Sequence, residues 1–177
     1  MKNKQKQYLC IDFKSFYASV ECVERGLDPF QVNLVVADPD RGGGAITLAA
    51  TPAIKKLGVP SRGRIFQIPK NISYKIAPPR MHLYMEYAAK IYGIFLKYIS
   101  PDDIVVYSID ESFFDVTSYL ELYQTTAPKL AKKIIADVYE QTGITSAAGI
   151  GNNLFLAKVA LDITAKHAPD NIGILDE

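Results

Sequence analysis

Three carboxylates stand where apolar, strand-like runs end. In Val105-Val106-Tyr107-Ser108-Ile109-Asp110-Glu111-Ser112-Phe113-Phe114-Asp115-Val116, β-branched and aromatic runs flank an acidic pair. That is the pattern of a hairpin with Asp110 and Glu111 at its tip. Taken alone, the segment is also explained by a plain polar turn. The other explanation is a divalent-metal site, because adjacent carboxylates supply the oxygen ligands Mg²⁺ prefers and an incoming phosphate completes its shell. A second segment favours the metal. Leu9-Cys10-Ile11-Asp12-Phe13 is another apolar strand that ends in an Asp, with a helix-like run directly after it. One sheet holding both strands would bring Asp12 beside Asp110 and Glu111. Like charges about 4 Å apart repel by roughly 4 kcal/mol at an effective dielectric of about 20, so the trio invites a cation.

The elements that must position these groups follow from periodicity and punctuation. Tyr8 to Phe13 reads as a buried strand, and Ser15 as the cap of a helix carrying Phe16, Val20 and Val23 and ending at Gly26. Val32 to Ala37 and Ala45 to Ala50 read as strands joined by the turn-rich Asp38–Gly44. The triple glycine there lacks both the Gly-Lys-Ser/Thr ending of a P-loop and the dinucleotide spacing, which leaves a bare hairpin turn. Thr51 and Pro52 look like an N-cap and first helical residue of a short helix through Lys56. Residues 61–76 are basic and irregular. Leu83 to Ile99 reads as a long helix, and Thr126 and Pro128 open another, with Leu130, Ile134, Ile135 and Val138 on one face and Lys129, Lys132 and Lys133 on the other. Ile144 to Ile150 is a strand of small residues, Gly151-Asn152-Asn153 caps a final helix, and Asp170–Ile174 turns into a last short strand. The order is βαββαβ, an α+β, ferredoxin-like split sheet with an insertion after its first strand.

Composition excludes several classes. The chain has 177 residues, enough for one large domain or two small ones, and 49% hydrophobic with 22% charged residues is ordinary for a globular protein. A net charge of +1 carries no global basic signal for nucleic acid and leaves a local patch open. Cys10 and Cys22 lack metal-ligand spacing and read as buried thiols of a reducing compartment. No apolar run reaches the ~20 residues of a membrane span, and the basic start from Met1 to Gln7 has no signal-peptide core, so the expectation is a cytoplasmic protein without membrane contact. His82 and His167 are isolated and read as structural.

Ile11–Glu21 and Tyr107–Phe113 resemble the two catalytic motifs of the Y-family, UmuC/DinB-like translesion DNA polymerases, and Ala148-Gly149-Ile150-Gly151-Asn152-Asn153-Leu154-Phe155-Leu156-Ala157-Lys158 is a third match in order. Arg25-Gly26-Leu27-Asp28-Pro29 looks most like the UmuC-type branch of Gram-positive bacteria, including UvrX-like proteins. The resemblance implies a discontinuous catalytic palm, residues 1–16 and 80–177, and small fingers, residues 17–79. Thumb and little finger, which grip DNA in the family, have no counterpart in this chain, so an N-terminal fragment that binds primer-template poorly is expected. It further implies template-directed addition of dNTPs to a primer 3′-hydroxyl during lesion bypass, in DNA repair and the SOS response. Asp12, Asp110 and Glu111 would hold two Mg²⁺ ions with the carbonyl of Phe13. Tyr17, with Phe16 beside it, would be the steric gate against a ribose 2′-hydroxyl, and Lys158 and Lys55 would meet the triphosphate. The implied partners are primer-template DNA, dNTP and, through regions outside this chain, a sliding clamp or other repair proteins.

Two positions depart from the pattern. Lys14 stands where many relatives have a second Asp, and Pro52 where some place a triphosphate-binding Tyr, which removes a hydroxyl from the fingers. A nucleotide cyclase-like enzyme on the same palm is the alternative within enzymes; the Phe16-Tyr17 pair, the inserted segment and the lack of a Gly-Gly-Asp-Glu-Phe signature argue against it. A non-catalytic repair scaffold is the alternative outside them, and the intact carboxylate trio argues against that.

Overall fold

The computed structural model describes residues 4–176, so the basic opening Met1 to Asn3 lies outside the described residues. The chain forms two compact units, one made of the residues up to Phe13 with those from Ala88 onward, the other of Lys14–Tyr87. The division expected from the sequence fell at residues 16/17 and 79/80. The second boundary between the compact units falls inside the helix Met81–Phe95 (α3).

The first unit is built on a five-stranded sheet. Its strands are β1 (Tyr8–Phe13), β5 (Ile104–Ser108), β6 (Glu111–Asp115), β7 (Ser146–Gly151) and β8 (Ile172–Leu175), in the order β5-β6-β1-β7-β8. β1 runs antiparallel to both β6 and β7, and β8 pairs in parallel with β7. The first four strands have the ferredoxin-like order, and β8 extends it. Alternation along β1 splits its side chains between two faces. Leu9, Ile11 and Phe13 are buried on one; Cys10 joins Ala147 of β7 and Ala157, Leu161 and Ala165 of the last helical segment in a core on the other. α5 (Ala127–Thr142) packs on β1 and β7. It buries Leu130, Ile134 and Val138, with Thr126 Oγ1 accepting from the Lys129 amide and Gly143 closing it at φ 75°. A short helix α4 (Thr117–Leu122), absent from the sequence reading, follows β6.

The last helical segment is not uniform. It runs as α-helix α6 (Leu154–Val159), then a π turn over Ala160–Thr164, where the Ala165 amide bonds back to the Ala160 carbonyl, then a 3₁₀ turn over Ala165–His167. As expected, Asn153 caps it, Oδ1 accepting from the Leu156 amide at 2.8 Å. Three glycines let it lie directly on the sheet. A Cβ on Gly149 would stand 2.1 Å from the Ala157 carbonyl oxygen, one on Gly151 2.6 Å from the Ala157 amide, and one on Gly173 2.6 Å from the Ala160 carbonyl.

The second unit has a three-stranded sheet, β3 (Ala49–Ala50), β2 (Leu34–Val36) and β4 (Lys75–Ala77), with β2 central, and the helices α1 (Phe16–Glu24) and α2 (Pro52–Lys55). Val35, Ala50, Ile54, Val59 and Ile68 form its core. Both expected caps differ from the sequence reading. Ser15 sits at φ 47° and makes no side-chain cap; its Oγ accepts from Lys55 Nζ at 2.8 Å. Thr51 precedes α2 but spends its buried hydroxyl on β2 and the residues leading into it, donating to the Val32 carbonyl at 2.7 Å and accepting from the Leu34 amide at 3.1 Å. The strand expected over residues 45–50 is reduced to Ala49–Ala50, and Pro39–Gly44 is a 3₁₀ segment capped by Asp38 in place of a bare turn.

Candidate functional site

The face of the first sheet that receives α6 also carries the acidic groups. Cys10 and Asp12 on β1 lie opposite Phe113 and Glu111 on β6, so strand alternation sends all four to one side. Asp110 belongs to the β5–β6 turn, which is tied to β1 by the Phe13 amide donating to its carbonyl at 3.0 Å. Its own Oδ1 accepts from Ser108 Oγ at 2.9 Å. Two strands and one turn thus bring Asp12, Asp110 and Glu111 to the same sheet end.

Lysines from the last helical segment meet these carboxylates. Lys158 Nζ lies 2.7 and 2.9 Å from the two Glu111 oxygens and 3.4 Å from Asp162. Lys166 Nζ is 3.7 Å from Asp12 and 3.1 Å from Asp162. Burial, and then the charges of Asp110 and Glu111, push the Asp12 carboxyl up to about 6 against the pull of Lys166. Burial works against the Lys158 ammonium, but its hydrogen bond and charge contact with Glu111 leave it above the ordinary lysine value. Cys10 is buried, its Sγ donating to Glu111 Oε1 at 3.5 Å, and burial followed by the Glu111 charge raises the thiol far above its usual range. Both cysteines are buried and free of disulfide.

Asp12, Phe13, Asp110, Glu111 and Lys158 are therefore gathered in the first unit, with Glu111 turned toward lysine. Among the described residues no three His, Cys, Asp or Glu side chains converge closely enough to form a ready-made metal nest. Phe16, Tyr17 and Lys55 belong to the second unit. Phe16 is buried on α1, and the Tyr17 ring stacks on Tyr84 at 4.5 Å and 14°. Tyr84 donates to Glu21, a fully buried carboxylate that also receives Arg80, at 2.7 and 2.9 Å, and Arg25.

Asp162 and Lys166 were absent from the sequence reading. They follow Lys158 at four-residue intervals, and on a plain α-helix each interval turns roughly 40° past a full turn, carrying Lys166 away from Lys158. The π turn, wider than four residues, rotates the second interval back the other way. The available sequence signal was the set of small residues, Gly149, Gly151, Ala157, Ala160, Ala165 and Gly173, which marks a helix seated directly on a sheet.

Residues 11–162 match the model of the impB/mucB/samB family. Two Bacillus subtilis (strain 168) proteins are similar: the UV-damage repair protein UvrX, 36% identical over 96% of this chain and 39% of its own length, and DNA polymerase IV 2, 34% identical over 97% and 41%. The chain thus spans about two fifths of the length of these relatives. Among solved structures, an insertion ternary complex of Dbh DNA polymerase superposes with a TM-score of 0.80 at 28% identity, covering 96% of this chain and 48% of that one. DinB from Sulfolobus solfataricus superposes at 0.76 and 27% identity, with the same coverage. No helix among the described residues is long and apolar enough to cross a membrane.

Proposed function

We propose, on the premise that this chain belongs to the impB/mucB/samB family, the UmuC/DinB group of Y-family proteins, that it is the catalytic part of a lesion-bypass DNA polymerase. The observation that carries this reading is the meeting of Asp12, Asp110 and Glu111 at one sheet end with Lys158 beside them. In this reading the first unit is the palm and the second the fingers. Primer-template DNA and a dNTP are the substrates in this reading.

The donor set fits Mg²⁺ in its chemistry. All three side chains offer carboxylate oxygens, and cationic ammonium groups already stand against two of them. Asp12, Asp110 and Glu111 would hold two such ions, with the Phe13 carbonyl as a further ligand. Bound there, the ions would orient the primer 3′-hydroxyl and offset charge on the transferring phosphoryl group. Lys158, released from Glu111, would turn to the triphosphate as a point charge, and Lys55 would do so from the fingers, where Pro52 offers no hydroxyl. Tyr17, held by its stack on Tyr84, would exclude a ribose 2′-hydroxyl, with Phe16 behind it.

Primer extension with Mg²⁺ tests the reading, using this chain joined to the part of UvrX it does not cover. Template-directed addition of dNTPs is expected, together with ribonucleotide addition when Tyr17→Ala is introduced. No addition by the wild-type chimera, with its fold verified, would refute the polymerase. Undiminished rejection of ribonucleotides by the variant would move the gate elsewhere.

A further inference from the structure

Away from the carboxylates, the first unit has a second concave feature. Strand alternation sends Ala147 into the core beneath the last helical segment and Ser146 to the opposite face, toward α5. On that face a cleft of about 310 Å³ lies between α5, which supplies Lys132, Ile135, Ala136 and Tyr139, and the segments that open β7 and β8, which supply Ser146 and Asp170. Ser146 is 2% exposed, and among the described residues its Oγ is the one buried side-chain polar atom without a hydrogen-bond partner. Thr142, a buried hydroxyl at the end of α5, shows the contrast: it donates to the Val138 carbonyl at 2.6 Å and accepts from the Ile144 amide at 3.1 Å. An unpaired buried hydroxyl destabilises a fold, and the next residues of β7, Ala147 and Ala148, show that alanine suits this strand. The fold itself has no use for the Ser146 oxygen.

We propose that this cleft is a binding site for an uncharged, planar heterocycle, the base of a nucleoside, with the Ser146 hydroxyl bonding to the polar edge of the ring. A hydroxyl donates or accepts as required, its hydrogen turning to suit, and the edge of a nucleobase presents both kinds of group. Ile135 and Ala136 give apolar surface, and Tyr139, 60% exposed, offers a ring on which a base can stack. The charges at the cleft are balanced. Lys132 Nζ stands 3.4 Å from Asp170, whose other oxygen accepts from the Ile172 amide at 3.1 Å. A charged ligand of either sign would trade one attraction for one repulsion there, and an uncharged one meets neither. The volume lies at the low end of the roughly 300–1,000 Å³ of small-molecule sites, which suits a nucleoside better than a triphosphate. Ser146 is also the partner of Phe13 in the β1–β7 ladder, so the cleft backs the strand end that carries Asp12.

The test is titration of the ¹⁵N-labelled 177-residue chain with adenosine, guanosine, cytidine and thymidine, read from amide chemical shifts without added metal. At least one nucleoside is expected to give saturable shifts at Lys132, Tyr139, Ser146 and Asp170, with Asp12 and Glu111 unmoved. Ser146→Ala should weaken that binding roughly three- to tenfold, the size of one hydrogen bond, while its melting midpoint is no lower than that of wild type. Tyr139→Ala, an exposed position, should weaken it at least as much. The corresponding nucleoside monophosphate should bind the cleft no tighter than the nucleoside. No saturable shift with any of the four would mean that the cleft takes only water and would overturn the proposal. So would shifts confined to the carboxylate end, or Ser146→Ala that binds as wild type does or melts several degrees lower. A monophosphate bound tenfold tighter at the cleft would overturn the uncharged class. None of these outcomes bears on the metal-site reading, which rests on other residues.

Discussion

Two carboxylates in this molecule are each withdrawn from water and faced by cations, and their fates are opposite. Glu21, in the second unit, is fully buried and receives Arg80, Arg25 and Tyr84; burial acts to raise its carboxyl, but those hydrogen bonds win and hold it below the ordinary range. Asp12, in the first unit, has one lysine at 3.7 Å and two acidic neighbours, and burial carries it up to about 6. The Glu21 cluster is complete as it stands, its charge matched by donors with good geometry. The Asp12 cluster keeps repulsion that a further cation would relieve. Burial is shared by the two sites; the number and sign of the neighbours separate a structural ion cluster from one suited to ligand binding.

Substitutions can break or sharpen this contrast. The largest stability loss is expected where the site is held by shape. Gly149→Ala would drive a Cβ to 2.1 Å from the Ala157 carbonyl and lift the segment bearing Lys158 and Lys166. A cost of about 3 kcal/mol or more is expected, read as a fall in thermal midpoint in the first unit. A midpoint within a degree of wild type would mean that α6 does not depend on this close seat.

Glu21→Gln should cost about 2 kcal/mol, toward the low end for a broken buried pair because Arg80 and Arg25 are partly exposed. Its pH signature has a definite sign. Glu21 is depressed in the folded state, so its contribution is present above the unfolded value of 4.5 and is lost as pH falls through the lower folded value. The wild-type midpoint should therefore drop more steeply than that of Glu21→Gln at acid pH. Parallel profiles would remove Glu21 from the acid response.

Asp12→Asn should move stability the other way. A carboxyl raised from 3.8 to about 6 makes its most favourable contribution below about pH 4, and that contribution shrinks as pH rises through 6. Neutralising it at pH 7.5, with divalent ions chelated, should stabilise the chain by about 1 kcal/mol, less than the full shift implies because the pairing with Lys166 is also lost. Melting curves of Asp12→Asn and Glu21→Gln displaced in the same direction would erase the contrast.

The legible parts of the sequence were those where a local rule and the tertiary demand agree. Apolar alternation ending in an acidic residue marked β1 and β6, and with them the placement of Asp12 and Glu111. Asn153 caps α6 because its Oδ1 stays available to the Leu156 amide while its side-chain amide donates to Asn152. Where tertiary structure had a prior use for a residue, the local rule failed. Thr51 looks like a cap, but its hydroxyl is consumed by the backbone of β2; Ser15 has the right type but a left-handed backbone. Lys166 and Asp162 escaped because their alignment with Lys158 depends on a π turn, which has no residue signature of its own.

The central proposal is that the three carboxylates gathered at the sheet end, and not the complete Glu21 cluster, carry phosphoryl transfer. Single-turnover nucleotide addition by the chimera with UvrX tests it most directly, comparing Asp110→Ala with Glu21→Gln at a temperature where both are folded. Loss of a metal ligand removes several kcal/mol of transition-state stabilisation, so Asp110→Ala is predicted to slow addition by about 10³-fold or more, while Glu21→Gln stays within about tenfold of wild type. Asp110→Ala retaining more than a tenth of the wild-type rate would contradict the account.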